Sequence, residues 1–183
     1  MRHRVGGGLV VLALMAVATV PGCTTRTPEA APQRAGEGDG FQGTLQAVVV
    51  QRPQLDPAVV HSISATPQGN FDRFAIEFAT TMVPGFDVQY VNPAHQCATG
   101  DIVTVRGART LVVRLTPAQA HTDAGAPTIA AAQQPFDLPA IKEVRLACDF
   151  EGEVSWVIGV AAEAQYRVSE LRDPPRLLID IKH

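Results

Sequence analysis

Lysine is nearly missing from this chain: Lys142 and Lys182 are the two among 183 residues. No block of Lys and Arg occurs anywhere, and the formal charge is −3. Phosphate backbones are bound by concentrated positive charge, so the composition argues against a nucleic-acid partner. It argues equally against polybasic adhesion to an anionic bilayer. Long apolar runs are also lacking. The longest, Leu9 to Val20, has 12 residues, against the roughly 20 that a membrane-spanning helix needs. Catalytic signatures are missing too. There is no G-x-S-x-G, no H-E-x-x-H, no Walker loop and no dinucleotide fingerprint. The sequence therefore nominates no catalytic residue, no metal site and no cofactor. Tryptophan occurs once and cysteine three times.

What is present begins with an address. Arg2, His3 and Arg4 precede the 12-residue apolar run, the arrangement of a secretory signal peptide. The run ends in Val20-Pro21-Gly22-Cys23, which resembles a bacterial lipobox, with Cys23 as the lipidated new N-terminus. Residues 1–22 then read as signal peptide, and Cys23 as the anchor to the membrane. Removing residues 1–22 leaves 13 basic against 18 acidic side chains, a charge of −5. Residues 23–44 are rich in Pro, Gly, Ala and charge, with Phe41 the one large apolar side chain. Such a stretch buries too little surface to offset its ordering entropy and reads as a flexible linker. Residues 45–183 make one domain, long enough to bury a core without metal or a disulfide mesh. In an exported chain the even remainder, Cys97 and Cys148, reads as a disulfide; two unpaired cysteines are the alternative.

Period-2 alternation dominates that domain. Phe74, Ile76 and Phe78 alternate with Arg73, Ala75 and Glu77. Phe86, Val88 and Tyr90 share one face. Val154, Trp156, Ile158 and Val160 share another, which places Trp156 in the core. Leu177, Ile179 and Ile181 alternate with Leu178, Asp180 and Lys182. Val59, His61, Ile63 and Ala65 share one face, as do Val144, Leu146 and Cys148, and Val103 and Val105 suggest a short strand. Gly69-Asn70, Pro84-Gly85, Glu151-Gly152 and Asp173-Pro174-Pro175 are turn signals. Residues 117–140 hold four prolines and read as a long irregular connection, with one helical turn near Ile129 to Gln133. Seven to nine short strands without a long helical pattern predict an all-β fold, a compact sandwich.

Several polar groups invite a chemical reading. His95-Gln96-Cys97 and His121-Thr122-Asp123 hold metal-ligand residue types, but a zinc site needs three or four converging ligands. Asp149, Glu151 and Glu153 flank a turn, where a solvated hairpin tip competes with acid–base work. Arg176 and Asp180 read as an ion pair across strands. Tyr90, Tyr166, Arg167 and Arg172 are the candidates for an exposed polar–aromatic binding surface, since Tyr and Arg offer flat contact area and several donors.

The ordered set FDRFAIEF, PGFDVQYV, LVVRLTPAQAH, DFEGEVSWVIGV and DPPRLLIDI resembles the AMIN-like domain of actinobacterial lipoproteins. The closing YRVSELRDPPRLLIDIKH is similar to the last strands of an AMIN domain. The pieces span about residues 58–183. The resemblance implies a β-sandwich of cell-envelope proteins that targets its host to the wall, by binding peptidoglycan or a protein partner, without catalysis. The 117–140 stretch and the pair Cys97/Cys148 lie outside the core AMIN pattern. The expectation is therefore an exported, lipid-anchored binding or scaffolding module. Its rivals are an envelope hydrolase using carboxylates near 149–153 and a small-ligand carrier with a cavity under residues 117–140.

Overall fold

A computed structural model describes residues 40–183. The expected signal peptide, Cys23 and most of the expected linker lie outside the described residues. Eleven strands form two sheets: β1 (Val48–Val50), β2 (Ala58–Pro67), β3 (Phe71–Phe78), β4 (Gly85–Tyr90), β5 (Arg109–Thr116), β6 (Ala118–Gln119), β7 (Gln133–Pro135), β8 (Ile141–Phe150), β9 (Glu153–Val160), β10 (Tyr166–Arg172) and β11 (Pro175–Lys182). One sheet runs β1-β4-β5-β9-β8-β7 and the other β10-β11-β3-β2-β6. Every pairing is antiparallel except β2 with β6. The all-β sandwich expected from alternation is the fold.

The inner faces supply one core. Phe74, Ile76, Leu111, Leu115, Trp156, Ile158, Leu177, Ile179 and Ile181 are all fully buried in it. Trp156 meets Phe74 edge-on at 6.4 Å. The Glu151-Gly152 turn has positive φ at both residues, 49° and 78°. That is the two-residue turn whose twist matches an antiparallel hairpin, and it joins β8 to β9.

Four expectations need correction. A bulge between Val60 and Ser62 shifts the register of β2. Ala58 and Val60 face the core before it, Ile63 and Ala65 pack inward after it, and His61 is exposed. A second bulge, between Leu146 and Cys148, does the same in β8. Val144 and Leu146 contact the main core, but Cys148 pairs with Ser155 on the outer face. Bulges insert one residue and reverse the parity that alternation counts. Residues 103–105 are not a strand; the local pairing is one bridge between His95 and Ile102. Nor is there a helical turn at 129–133. Ala118, Ala120 and Ile129 drop into the core instead, and Gln133–Pro135 pairs with β8. The strands exceed nine because β6 and β7 are short pieces inside this proline-rich stretch, too brief for a period to show.

Residues 92–108 lie against the outer face of the six-stranded sheet. Ala94 and Val103 pack there on Ala147 and Val157 as a second, smaller core. A Cys97–Cys148 disulfide pins this excursion to β8. Glu143 holds its far end, accepting from the Arg106 backbone N–H at 3.0 Å and from Arg106 Nε at 3.2 Å; Gln133 also donates to it. Burial pushes the Glu143 carboxyl up, but the Arg106 N–H, Gln133 and the guanidinium together bring it below its ordinary range. At the N-terminal side the fold reaches back to Phe41. That ring is 8% exposed, and Thr44 pairs with Tyr166.

Candidate binding site

The four residues singled out by alternation fall in three places. Tyr90 and Tyr166 meet each other, ring centroids 5.7 Å apart and edge to face. Both point inward. Tyr166 starts on the five-stranded sheet and crosses the sandwich, its hydroxyl lying 2.6 Å from the carbonyls of Gln46 and Val88. Tyr90 crosses the other way and donates to the Ala164 carbonyl at 2.8 Å. Tyr166 is 0% exposed, so its expected outward position is wrong. In β10 the residues facing out are Arg167, Ser169 and Leu171, while Tyr166 has the opposite parity. Burial, with Tyr90 and Asp87 nearby, pushes its hydroxyl up to about 12. Burial also raises Tyr90 above the ordinary tyrosine value, against the pull of the Ala164 backbone N–H, which donates to its oxygen at 3.2 Å. The two rings join the sheets.

Arg167 sits on the outer face of the five-stranded sheet, in a row across β10, β11 and β3. Asp180, 1% exposed, accepts from Arg167 Nε at 2.8 Å and from Arg73 at 2.7 and 2.9 Å. The Arg167 guanidinium also stacks 4.9 Å from the rings of both Phe41 and Phe71. This position is therefore bound up in structure. The pair expected between Arg176 and Asp180 does not form. Both belong to β11, and Arg176 faces Glu77 on β3 at 3.5 Å.

Arg172 alone of the four stays exposed, and its side chain has no ion-pair or hydrogen-bond partner among the described residues. It stands at the mouth of a groove of about 390 Å³, lined also by Arg52, Met82, Val83, Glu170 and Leu171. Met82 is 53% and Leu171 40% exposed, two large apolar side chains flanking one open cation. Arg52 builds the floor. Its guanidinium donates to the Val83 and Pro84 carbonyls at 3.0 Å each and to Glu170 at 2.8 Å, and it lies over the Phe86 ring. The groove thus sets the unpaired Arg172 beside the apolar side chains of Met82, Val83 and Leu171, with Arg52 and Glu170 paired within it. Sequence reading missed Arg52, Met82, Glu170 and Leu171. Met82 carried a faint signal, being a large apolar residue inside a turn-forming Thr-Thr-Met-Val-Pro-Gly run. Leu171 carried another, on the solvent parity of a strand ending at Asp173-Pro174.

The other candidates do not converge. Asp149 accepts from His121 Nδ1 and from the Ala120 backbone N–H, each at 2.9 Å, and so ties residues 117–140 to β8. Glu153 pairs with Arg114 at 3.0 Å across β9 and β5, and Glu151 stands at the exposed hairpin tip. His95 Nδ1 lies 2.8 Å from the Gly100 carbonyl, and Cys97 is consumed by its disulfide. Among the described residues no three His, Cys, Asp or Glu side chains gather as a metal site would require. Below residues 117–140, Ala118, Ala120 and Ile129 occupy the space where a carrier would hold its ligand.

A β-sandwich that ties many of its charged side chains into structural pairs and leaves an apolar–cationic groove open has the construction of a binding module. The AMIN-like domain family model matches residues 58–183, and the chain belongs to that family. Membership marks it as a cell-envelope binding module. No curated protein and no solved structure matches it.

Proposed function

We propose that this protein is exported, anchored by lipid at Cys23, and acts at the cell envelope as a binding or scaffolding module that engages peptidoglycan or an envelope protein without turnover. The observation that carries the reading is the groove. Met82 and Leu171 expose apolar surface on either side of Arg172, within the span of the family match. Exposed large apolar side chains around a polar anchor are the ordinary marks of an interaction site. The lipobox-like Val20-Pro21-Gly22-Cys23 supports the anchor, and stable tethering then follows from the several acyl chains that such a cysteine carries.

The test uses the full-length protein. The native form should carry the mass of the lipid and need detergent to leave membranes, and Cys23→Ala should remove both the lipid mass and the need for detergent. Isolated envelopes should retain the Cys23→Ala protein, and Arg172→Ala combined with Met82→Ala should cut that retention at least tenfold without lowering the melting temperature. Release of muropeptides by the purified protein at a rate dependent on Asp149 would overturn the reading in favour of a hydrolase.

A further inference from the structure

β10 is an edge strand with a row of unfilled backbone groups. It pairs with β11 on one side only. The direction of its amides follows from two bonds at its start. Gln165 C=O points to β11, accepting from the Lys182 N–H at 3.0 Å. Tyr166 points the opposite way and exchanges both of its bonds with Thr44, at 2.8 and 2.9 Å. Alternation then directs the N–H and C=O of Val168 and Glu170 away from the sheet. No described strand meets them. Thr44 shows that this edge accepts an antiparallel neighbour, but the chain engages it at that one residue and then leaves for β1.

The open edge runs directly into the groove. Glu170, Leu171 and Arg172 belong to both. We propose that β10 takes up an extended polypeptide segment of an envelope protein as an additional strand, with an apolar side chain of that segment between Met82 and Leu171 and a carboxylate on Arg172. The spacing selects the class of ligand. Outward donors and acceptors recurring every second residue match an extended peptide backbone, which offers the same repeat; a glycan chain does not. The charge selects the carboxylate. Arg52 and Glu170 neutralise each other at 2.8 Å, so Arg172 leaves the groove with net positive charge in a domain that is otherwise acidic. This inference rests on the envelope-binding reading and narrows its partner to polypeptide.

Proline at an outward-facing position removes an edge donor while sparing the β11 ladder. The experiment therefore compares the full chain bearing Cys23→Ala with the same chain bearing Val168→Pro or, as a variant that leaves the backbone alone, Arg172→Glu. Each is incubated with native isolated envelopes and with detergent-boiled sacculi stripped of protein. The expected result is retention on native envelopes, none above background on stripped sacculi, and at least a tenfold loss for both variants, with thermal melting unchanged in Arg172→Glu. A photo-crosslinker at Leu171 should then link to polypeptide on native envelopes. Equal retention on stripped sacculi would make the wall polymer the ligand and overturn the proposal alone. So would full retention of Arg172→Glu together with any Val168→Pro protein that melts normally. Absence of retention on either material would remove the envelope-binding reading as well.

Discussion

A single hydroxyl can decide whether a tyrosine reads as surface or as structure. Tyr166 was legible as a strand residue, but its side was not, because one-sided alternation in YRVSELR offers too few apolar positions to fix the parity. The side chain spans the sandwich and shares its one hydroxyl proton between two carbonyls on the far side. Tyr166→Phe keeps the ring and leaves both carbonyls without that donor, at a cost of about 1–3 kcal/mol. It should also change the alkaline limb of stability. Tyrosine in the unfolded chain titrates near 10, whereas folded Tyr166 is held up to about 12. Below pH 10 both states keep the proton, and the contribution of the buried hydroxyl is complete. Between those values the unfolded chain alone releases it, so stability falls as pH rises through the window. Urea unfolding at pH 7 and from pH 9.5 to 11.5 should show Tyr166→Phe weaker at neutrality, with a shallower alkaline decline. An identical decline in the two proteins would place the alkaline sensitivity elsewhere.

At the scale of elements, the strap at 92–108 shows where physical reading of the sequence stops. The core strands β3, β4, β9 and β11 announce themselves because each alternates cleanly and sends one face into the main core. The strap does not, since it covers the outer face of a sheet through a small set of contacts and a cross-link. Its closest approach is at Gly159, where a Cβ would lie 1.9 Å from the Arg106 carbonyl oxygen. Glycine is required there by the strap and not by the strand. Gly159→Ala should therefore destabilise by about 1–3 kcal/mol through overpacking. Cys97→Ala with Cys148→Ala releases a 51-residue separation and should cost about 2–4 kcal/mol. The two effects share a cause, because both free the strap, and should add to less than their sum. Chemical unfolding of the two variants and their combination measures this; full additivity would mean that Gly159 and the disulfide act on separate parts of the molecule. The bulges in β2 and β8 illustrate the same limit in smaller form. Each inserts a residue that no local pattern marks, and His61 and Cys148 end on the faces opposite to those that alternation gave them.

For the whole molecule, the question is where the folded unit begins. Composition places the start at Leu45, because residues 24–44 look unable to support structure by themselves. That inference holds for an isolated segment and fails where a folded surface waits to receive one. Phe41 packs 5.6 Å from Phe71 with the Arg167 guanidinium 4.9 Å from its ring, and Thr44 closes a bridge onto Tyr166. The receiving site is built by Phe71 and Arg167, 30 and 126 positions later in the chain, so no short window of sequence around Phe41 reveals it. Arg167, already committed to Asp180, arrives at the ring preoriented, which lowers the entropy cost of the stack. A chain cut to begin at Gly40 should retain the stability of the intact protein, whereas one beginning at Leu45 should lose about 2–4 kcal/mol, comparable to deletion of a largely buried phenylalanine. Phe41→Ala in the full chain should reproduce most of that loss, because the bridge at Thr44 is a smaller term. Urea midpoints for the three proteins at pH 7 provide the measurement. Equal midpoints for the chains beginning at Gly40 and Leu45 would return the boundary to Leu45 and leave Phe41 as part of the linker.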